Sequence, residues 1–128
     1  MIGSGAYNYI NVLDRAADAG WLRNEAISNN IANKDTPNYK RKDVNFESYL
    51  MSALTGDGSL DENVANLDLS TINGTTYTEY SNLSYRYDGN NVDISTETAE
   101  LAKNQIRYNT LIDSINQEFS RIKAVLTR

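Results

Sequence analysis

The chain contains no cysteine and no histidine, and only one proline among 128 residues. Without cysteine there is no disulfide framework and no thiolate nucleophile. Without histidine, the commonest general base and the commonest transition-metal ligand are both missing. Carboxylates alone remain for acid–base work or hard cations. The pair Asp61 and Glu62 sits in a glycine-flanked loop that lacks the alternating ligand pattern of a calcium loop. These absences point away from an enzyme, and no cofactor, metal or small-molecule substrate is expected. No apolar run approaches the roughly 20 residues that a membrane-spanning helix needs. Met1 to Ala6 carry neither a basic nor an apolar signal region, so a route out of the cell, if there is one, is expected to use no cleavable signal peptide.

The charge of −5 is unevenly spread. Residues 1–42 hold six basic and four acidic side chains, residues 43–92 one basic and eight acidic, and residues 93–128 five of each. No basic stripe of the kind that displaces phosphate counterions is present, so nucleic acid is not an expected partner. The only basic cluster, Lys40, Arg41 and Lys42, reads as a solvated segment following a helix.

Two zones carry a strong helical signal. In the N-terminal zone (1–35), Ile10, Leu13, Ala17, Gly20, Asn24, Ile27 and Ile31 follow steps of three and four, which predicts a helix from about Ala6 to Asn33. Trp21 and Leu22 lie off that stripe and imply a second sticky face. Pro37 disfavours helical geometry at Thr36 and ends the run. In the C-terminal zone (93–128), Ile94, Thr98, Leu101, Gln105, Tyr108, Ile112, Ile115, Phe119, Ile122 and Leu126 step 4-3-4-3 throughout, with no glycine or proline between them. This predicts a long amphipathic helix with a coiled-coil seam, capped by Asp93, with Thr98 and Gln105 as polar positions that can set register. Some thirty helical residues at about 1.5 Å each span roughly 50 Å. A compact globule of this length is only about 35 Å across, from a radius of gyration of roughly 14 Å. An elongated pair of helices that needs neighbours follows.

The zone between them (36–92) reads as a loop and a small acidic, tyrosine-rich insert. Val44 to Leu54 suggests a short helix, Thr55 to Asn63 a flexible stretch, and the alternations at Leu67/Leu69, Tyr77–Tyr80 and Leu83/Tyr85/Tyr87 suggest short strands. Asp88 to Asn91 reads as a turn. The fold class is therefore mainly α: two long terminal helices, coiled-coil-like, with a small irregular or β insert, all as one discontinuous domain.

Asn30, Ala32, Asn33, Thr36 and Tyr39 match an Asn-x-Ala-Asn-x-x-Thr-x-Gly-Tyr pattern at the end of the first helix. That pattern resembles the N-terminal signature of flagellar rod and hook proteins. Asn38 replaces the expected glycine, and asparagine is among the few residues that tolerate a left-handed backbone. Asp88–Asp93 followed by Glu100–Asn109 looks like the C-terminal helix of the proximal-rod B type, the FlgB family. The resemblance implies a structural subunit of the bacterial flagellar basal-body rod, polymerising through its terminal helices. It implies passage through the flagellar export apparatus, contact with rod subunits of the FlgC, FlgF and FlgG types and with the ring–rod adapter FliE, and self-association in the rod. Asn30, Ala32, Asn33, Thr36, Pro37 and Tyr39 would then form a joint, with Asn33 and Asp35 capping local backbone and Tyr39 packing on a helix. The C-terminal column Ile94, Leu101, Tyr108, Ile112, Ile115, Phe119, Ile122 and Leu126 would be an assembly seam, beside the N-terminal stripe of Ile10, Leu13, Ala17, Ile27 and Ile31. Rival readings are a FlgC-like axial subunit and a cytosolic coiled-coil adaptor.

Overall fold

A computed structural model describes residues 3–80 and 86–127. Helix α1 (Gly3–Ala32) and helix α4 (Ile94–Leu126) are 30 and 33 residues long and run antiparallel along each other. Asn30 meets Glu97 and Gly20 meets Asn104, which fixes the direction. Between them come strand β1 (Lys42–Asn45), helix α2 (Glu47–Leu54), helix α3 (Leu60–Ala65), a single 3-10 turn at Leu69–Thr71 and strand β2 (Thr75–Thr78). The two strands pair antiparallel with Val44 opposite Thr76. No described helix is long and apolar enough to cross a membrane.

Helix α1 is covered on two sides. Ile10, Ala17, Gly20 and Ile27 are buried and Leu13, Asn24 and Ile31 half-buried. The insert packs on a second face. There Ala19 forms a core with Phe46 and Ile72, and Ala16, Leu50, Ala53, Leu67 and Leu69 fill in around it. The side chains on this face are small because the insert's backbone comes close: a Cβ on Gly74 would sit 3.2 Å from both Ala19 Cβ and Val44 Cγ1. Of the residues expected to make a second sticky face, Leu22 is half-buried and Trp21 stays 60% exposed.

Helix α4 opens as expected, with Asp93 accepting from the amides of Ser95 (3.0 Å) and Thr96 (3.4 Å). Its inward columns differ from the expected seam. Leu101, Tyr108, Ile115 and Ile122 do turn inward, but their companions are Glu97, Asn104, Leu111 and Glu118. Thr98, Gln105 and Phe119, one position further on, face solvent, as do Ile94 and Leu126, and Ile112 is half-buried. The column shifts because Glu97 finds Arg41 and Asn30, and Asn104 Nδ2 finds the Gly20 carbonyl, which offsets part of the cost of their burial.

The insert departs from expectation in several places. Val44 lies in β1, so the helix of that region begins only at Glu47. The stretch expected to be flexible from Thr55 to Asn63 contains the start of α3, nucleated by Ser59, whose hydroxyl accepts from the Glu62 amide. Leu69 opens a 3-10 turn capped by Asp68 rather than a strand. The Tyr77–Tyr80 region does supply β2, which begins at Thr75. Of the alternation at Leu83, Tyr85 and Tyr87, the first two lie outside the described residues and Tyr87 is exposed in a turn.

Candidate functional site

The C-terminal end of α1, the segment 33–41, the turn at 88–91 and the start of α4 converge on a buried polar cluster. Asn30, 0% exposed, lies at its centre. Its Nδ2 donates to the Lys42 carbonyl (2.8 Å) and to Glu97 Oε2 (3.1 Å). Its Oδ1 accepts from the Lys42 amide (2.8 Å) and the Tyr39 hydroxyl (3.1 Å). One amide side chain thereby holds β1 to α1, α1 to α4, and Tyr39 to both.

Glu97 is 1% exposed, on the first turn of α4. Arg41 Nε donates to its Oε1 at 2.7 Å, and Arg41 also donates through Nη1 to Glu79 and lies 3.5 Å from Asp43. Burial works against the charge of Arg41, but its bonds to Glu97 and Glu79 outweigh that and hold the guanidinium well above its ordinary pKa. Burial, and then the negative charge of Glu97, push the Tyr39 phenol up. The basic cluster expected to be solvated is therefore half inside: Lys40 and Arg41 are half-buried, Lys40 donates to the Gly89 carbonyl, and only Lys42 points its side chain outward.

Asn90 forms a second knot. Its Nδ2 donates to the carbonyls of Asn33 (2.8 Å), Lys34 (3.1 Å) and Thr36 (2.9 Å), and its Oδ1 accepts from the Val92 amide at 2.8 Å. These carbonyls lie in the turns that follow the end of α1. Asn91 continues the pattern, accepting from the Arg41 amide at 2.7 Å and donating to the Glu79 carbonyl at 2.9 Å.

Within the segment itself, Asn33 donates to the Asn29 carbonyl at 2.8 Å and Thr36 donates to Asn33 Oδ1 at 3.1 Å. Ala32 and Pro37 are exposed. Asp35 lies 3.8 Å from Arg86. Asn38 has φ 62°, so the left-handed turn is made by asparagine where a glycine was expected. Gly89 answers it from the other side with φ 77°, and a Cβ there would fall 2.5 Å from Asn38 Oδ1. The sequence pattern pointed to Asn30, Asn33, Thr36 and Tyr39, which the fold brings together. It missed Arg41, Glu79, Glu97, Asn90 and Asn91, whose partners are up to 67 residues away. The only local trace was that Glu97 and Asn104 are spaced by seven, like the apolar positions beside them.

One further ion pair pins the insert to the helices. Arg23 on α1 grips Glu47 with two bonds of 2.6 and 2.7 Å and also donates to the Val44 carbonyl at 2.9 Å. The bonds from Arg23 hold the Glu47 carboxyl below its ordinary value of 4.5 despite some burial. A carboxylate with a lowered folded pKa stabilises the fold above its unfolded pKa, and that contribution is lost as pH falls through the folded value. Glu47→Gln is expected to flatten the decline in urea-unfolding stability below about pH 4.5, and to cost less than about 1 kcal/mol at pH 7 because the Glu47 side chain is half in water. An unchanged acid limb in the variant would assign the acid sensitivity to other carboxylates.

Outside the cluster, large apolar side chains remain in water on the helix pair: Trp21, Ile106, Phe119, Val125 and Leu126. No group of three or more acidic side chains able to hold a metal occurs among the described residues.

Residues 10–40 match the family described as flagella basal body rod protein. The chain is 37% identical to the flagellar basal body rod protein FlgB of Bacillus subtilis (strain 168), over 92% of each chain. It is 32% identical to the protein of the same name from Borreliella burgdorferi, over 94% of this chain and 92% of the relative. Against the FlgB of Aeromonas hydrophila, it is 32% identical over 81% of each.

Proposed function

The chain belongs to the FlgB family of flagellar basal body rod proteins, and from that premise we propose how it serves as a structural subunit of the rod. The α1–α4 pair is the assembling unit, and its outward columns dock on neighbouring subunits. The observation that carries this is the exposure of Trp21, Ile106, Phe119, Val125 and Leu126 along helices whose other faces are already filled. Each large apolar side chain moved out of water stabilises a contact by roughly 1.5–3 kcal/mol, so several per subunit offset the cost of association. The insert rides on α1 as an acidic lobe, and the buried polar cluster holds joint and helix ends in one geometry.

The expected neighbours are rod subunits of the FlgC, FlgF and FlgG types and the ring–rod adapter FliE, and the expected route is the flagellar export apparatus without signal cleavage. Deleting the gene in its source organism tests the reading: swimming is lost, isolated basal bodies lack complete rods in the electron microscope, and the intact gene restores both. Normal swimming with intact rods after deletion would reject it.

The outward columns have their own test. Phe119→Asp places a charge where half the side chain is already in water. Its melting should therefore stay within about 0.5 kcal/mol of the parent, while the strain carrying it loses swimming. A variant that folds and swims normally would remove Phe119 from the assembling face.

A further inference from the structure

Midway along the helix pair, α1 and α4 leave a groove of about 220 Å³. Gly20 forms its floor, since a Cβ there would lie 3.3 Å from Tyr108 Cδ2. Trp21 and Tyr108 form one wall, ring centres 6.3 Å apart and planes tilted by 49°. The amides of Asn24, Asn104, Gln105 and Asn109 line the rest, with no charged side chain among them. Asn104 is 4% exposed; its Nδ2 donates to the Gly20 carbonyl at 3.0 Å, and its Oδ1 is buried without a hydrogen-bond partner. A buried acceptor without a donor is an unfinished site.

The lining selects what finishes it. The unpartnered atom accepts, the aromatic faces attract positive charge, and the amide oxygens add further acceptors. A cationic side chain with an apolar stem fits all of these; an anion meets no positive group there. On this chain, Lys123 presents such a group. It lies between Phe119 and Leu126 on one side of α4, at spacings of four and three that place the residues together. Phe119 is 50% and Leu126 71% exposed, so a lysine stands within an uncovered apolar strip. Arg121 points away from that strip and bonds to Glu118 at 3.1 Å.

We infer that the groove at Trp21, Tyr108 and Asn104 receives Lys123 of an adjacent copy of this chain, with Phe119 and Leu126 of that copy packed on its rim. The inference rests on the rod reading above and deepens it. Tyr108 and Lys123 are about 15 residues apart on α4, so two copies pointing the same way are staggered by roughly 22 Å at 1.5 Å per residue. Such a contact joins different faces of identical subunits and repeats as an open array rather than closing as a two-fold pair, as a rod requires.

Charge exchange tests it. Lys123→Glu alone and Gln105→Lys alone, each expressed in the deletion strain, are expected to reduce rod-bearing basal bodies at least tenfold. Both changes in one chain are expected to restore the count to within twofold of the parent. Both positions are exposed, so the purified variants should melt with the parent. Since the chain has no cysteine, Gln105→Cys combined with Lys123→Cys supplies a second reading. Oxidation of basal bodies carrying the two cysteines should give a ladder of linked chains that neither single cysteine gives, and this decides the matter if a charge variant melts early. Rods without a ladder, single variants that assemble normally, or single losses without rescue would each overturn the inference, the last giving the groove to a different subunit. Failure of the intact gene to restore rods would instead remove the rod reading itself.

Discussion

Replacing Arg41 with methionine is expected to lower the stability of the folded chain by about 3–5 kcal/mol, the cost of leaving a buried charge without its partner. In a chain of this size that is a fall of roughly 10–20 °C in melting temperature. The charge at stake is Glu97. It is buried, and the donors the cluster gives it are Arg41 Nε at 2.7 Å and Asn30 Nδ2 at 3.1 Å. Methionine fills most of the volume but supplies no donor, and water has little access to a carboxylate 1% exposed. Glu79 and Asp43 also lose Arg41, but they keep more contact with solvent and add less.

Two companion variants separate charge from volume. Arg41→Lys keeps the charge and gives up the fork that reaches Glu97 and Glu79 together, so it should fall between parent and methionine. Adding Glu97→Leu to Arg41→Met removes the stranded carboxylate and should recover a large part of the loss, because replacing both partners is far cheaper than replacing one. Thermal and urea melts of the four proteins make the measurement. If the double variant is no more stable than Arg41→Met, the destabilisation comes from lost packing and the buried-charge account is wrong.

The contrast between Ile122 and Glu97 shows what could be read in advance. Apolar residues recurring at 101, 108, 115 and 122 define a helix and one inward column, because burying them requires nothing of any other part of the chain. A second inward column could lie on either side of the first. Hydropathy favoured the one through Gln105, Ile112 and Phe119, and the fold took the one through Glu97, Asn104, Leu111 and Glu118. A polar group is buried only if a partner waits for it, and the partners of Glu97 are Arg41, just before β1, and Asn30 on α1, 56 and 67 residues away. No local pattern contains that information.

The joint was legible in part for the same reason. Part of the run from Asn30 to Tyr39 bonds within itself, Thr36 to Asn33 and Tyr39 to Asn30, and that part a short motif records. Asn90, which donates to three of the run's carbonyls, looked like an ordinary turn residue. The insert was the least legible region. Its strands are four residues each, and the short helix α3 starts within a glycine-rich stretch, held by a cap and by packing on α1 rather than by any long periodicity.

Ile72→Ala should cost about 2–5 kcal/mol, toward the upper part of that range. Ile72 is 0% exposed and forms the insert's core with Ala19 and Phe46. How far a cavity collapses sets the cost, and here collapse is obstructed. The chain two residues on already lies so near α1 that a Cβ on Gly74 would stand 3.2 Å from Ala19 Cβ. Ile72→Val removes one methylene and should cost only about 0.5–1.5 kcal/mol at the same site. The loss should also be local. The core around Ile72 belongs to the insert and one face of α1, whereas α4 is held on the other face by Ile10, Ala17, Ile27 and the Glu97 cluster. Native-state hydrogen exchange should therefore show the amides of β2 opening far more readily in Ile72→Ala, with those in the middle of α4 losing much less. Equal loss of protection in β2 and α4 would mean that insert and helix pair unfold as one unit, and the acidic lobe would then be a structural part of the assembling pair rather than a rider upon it.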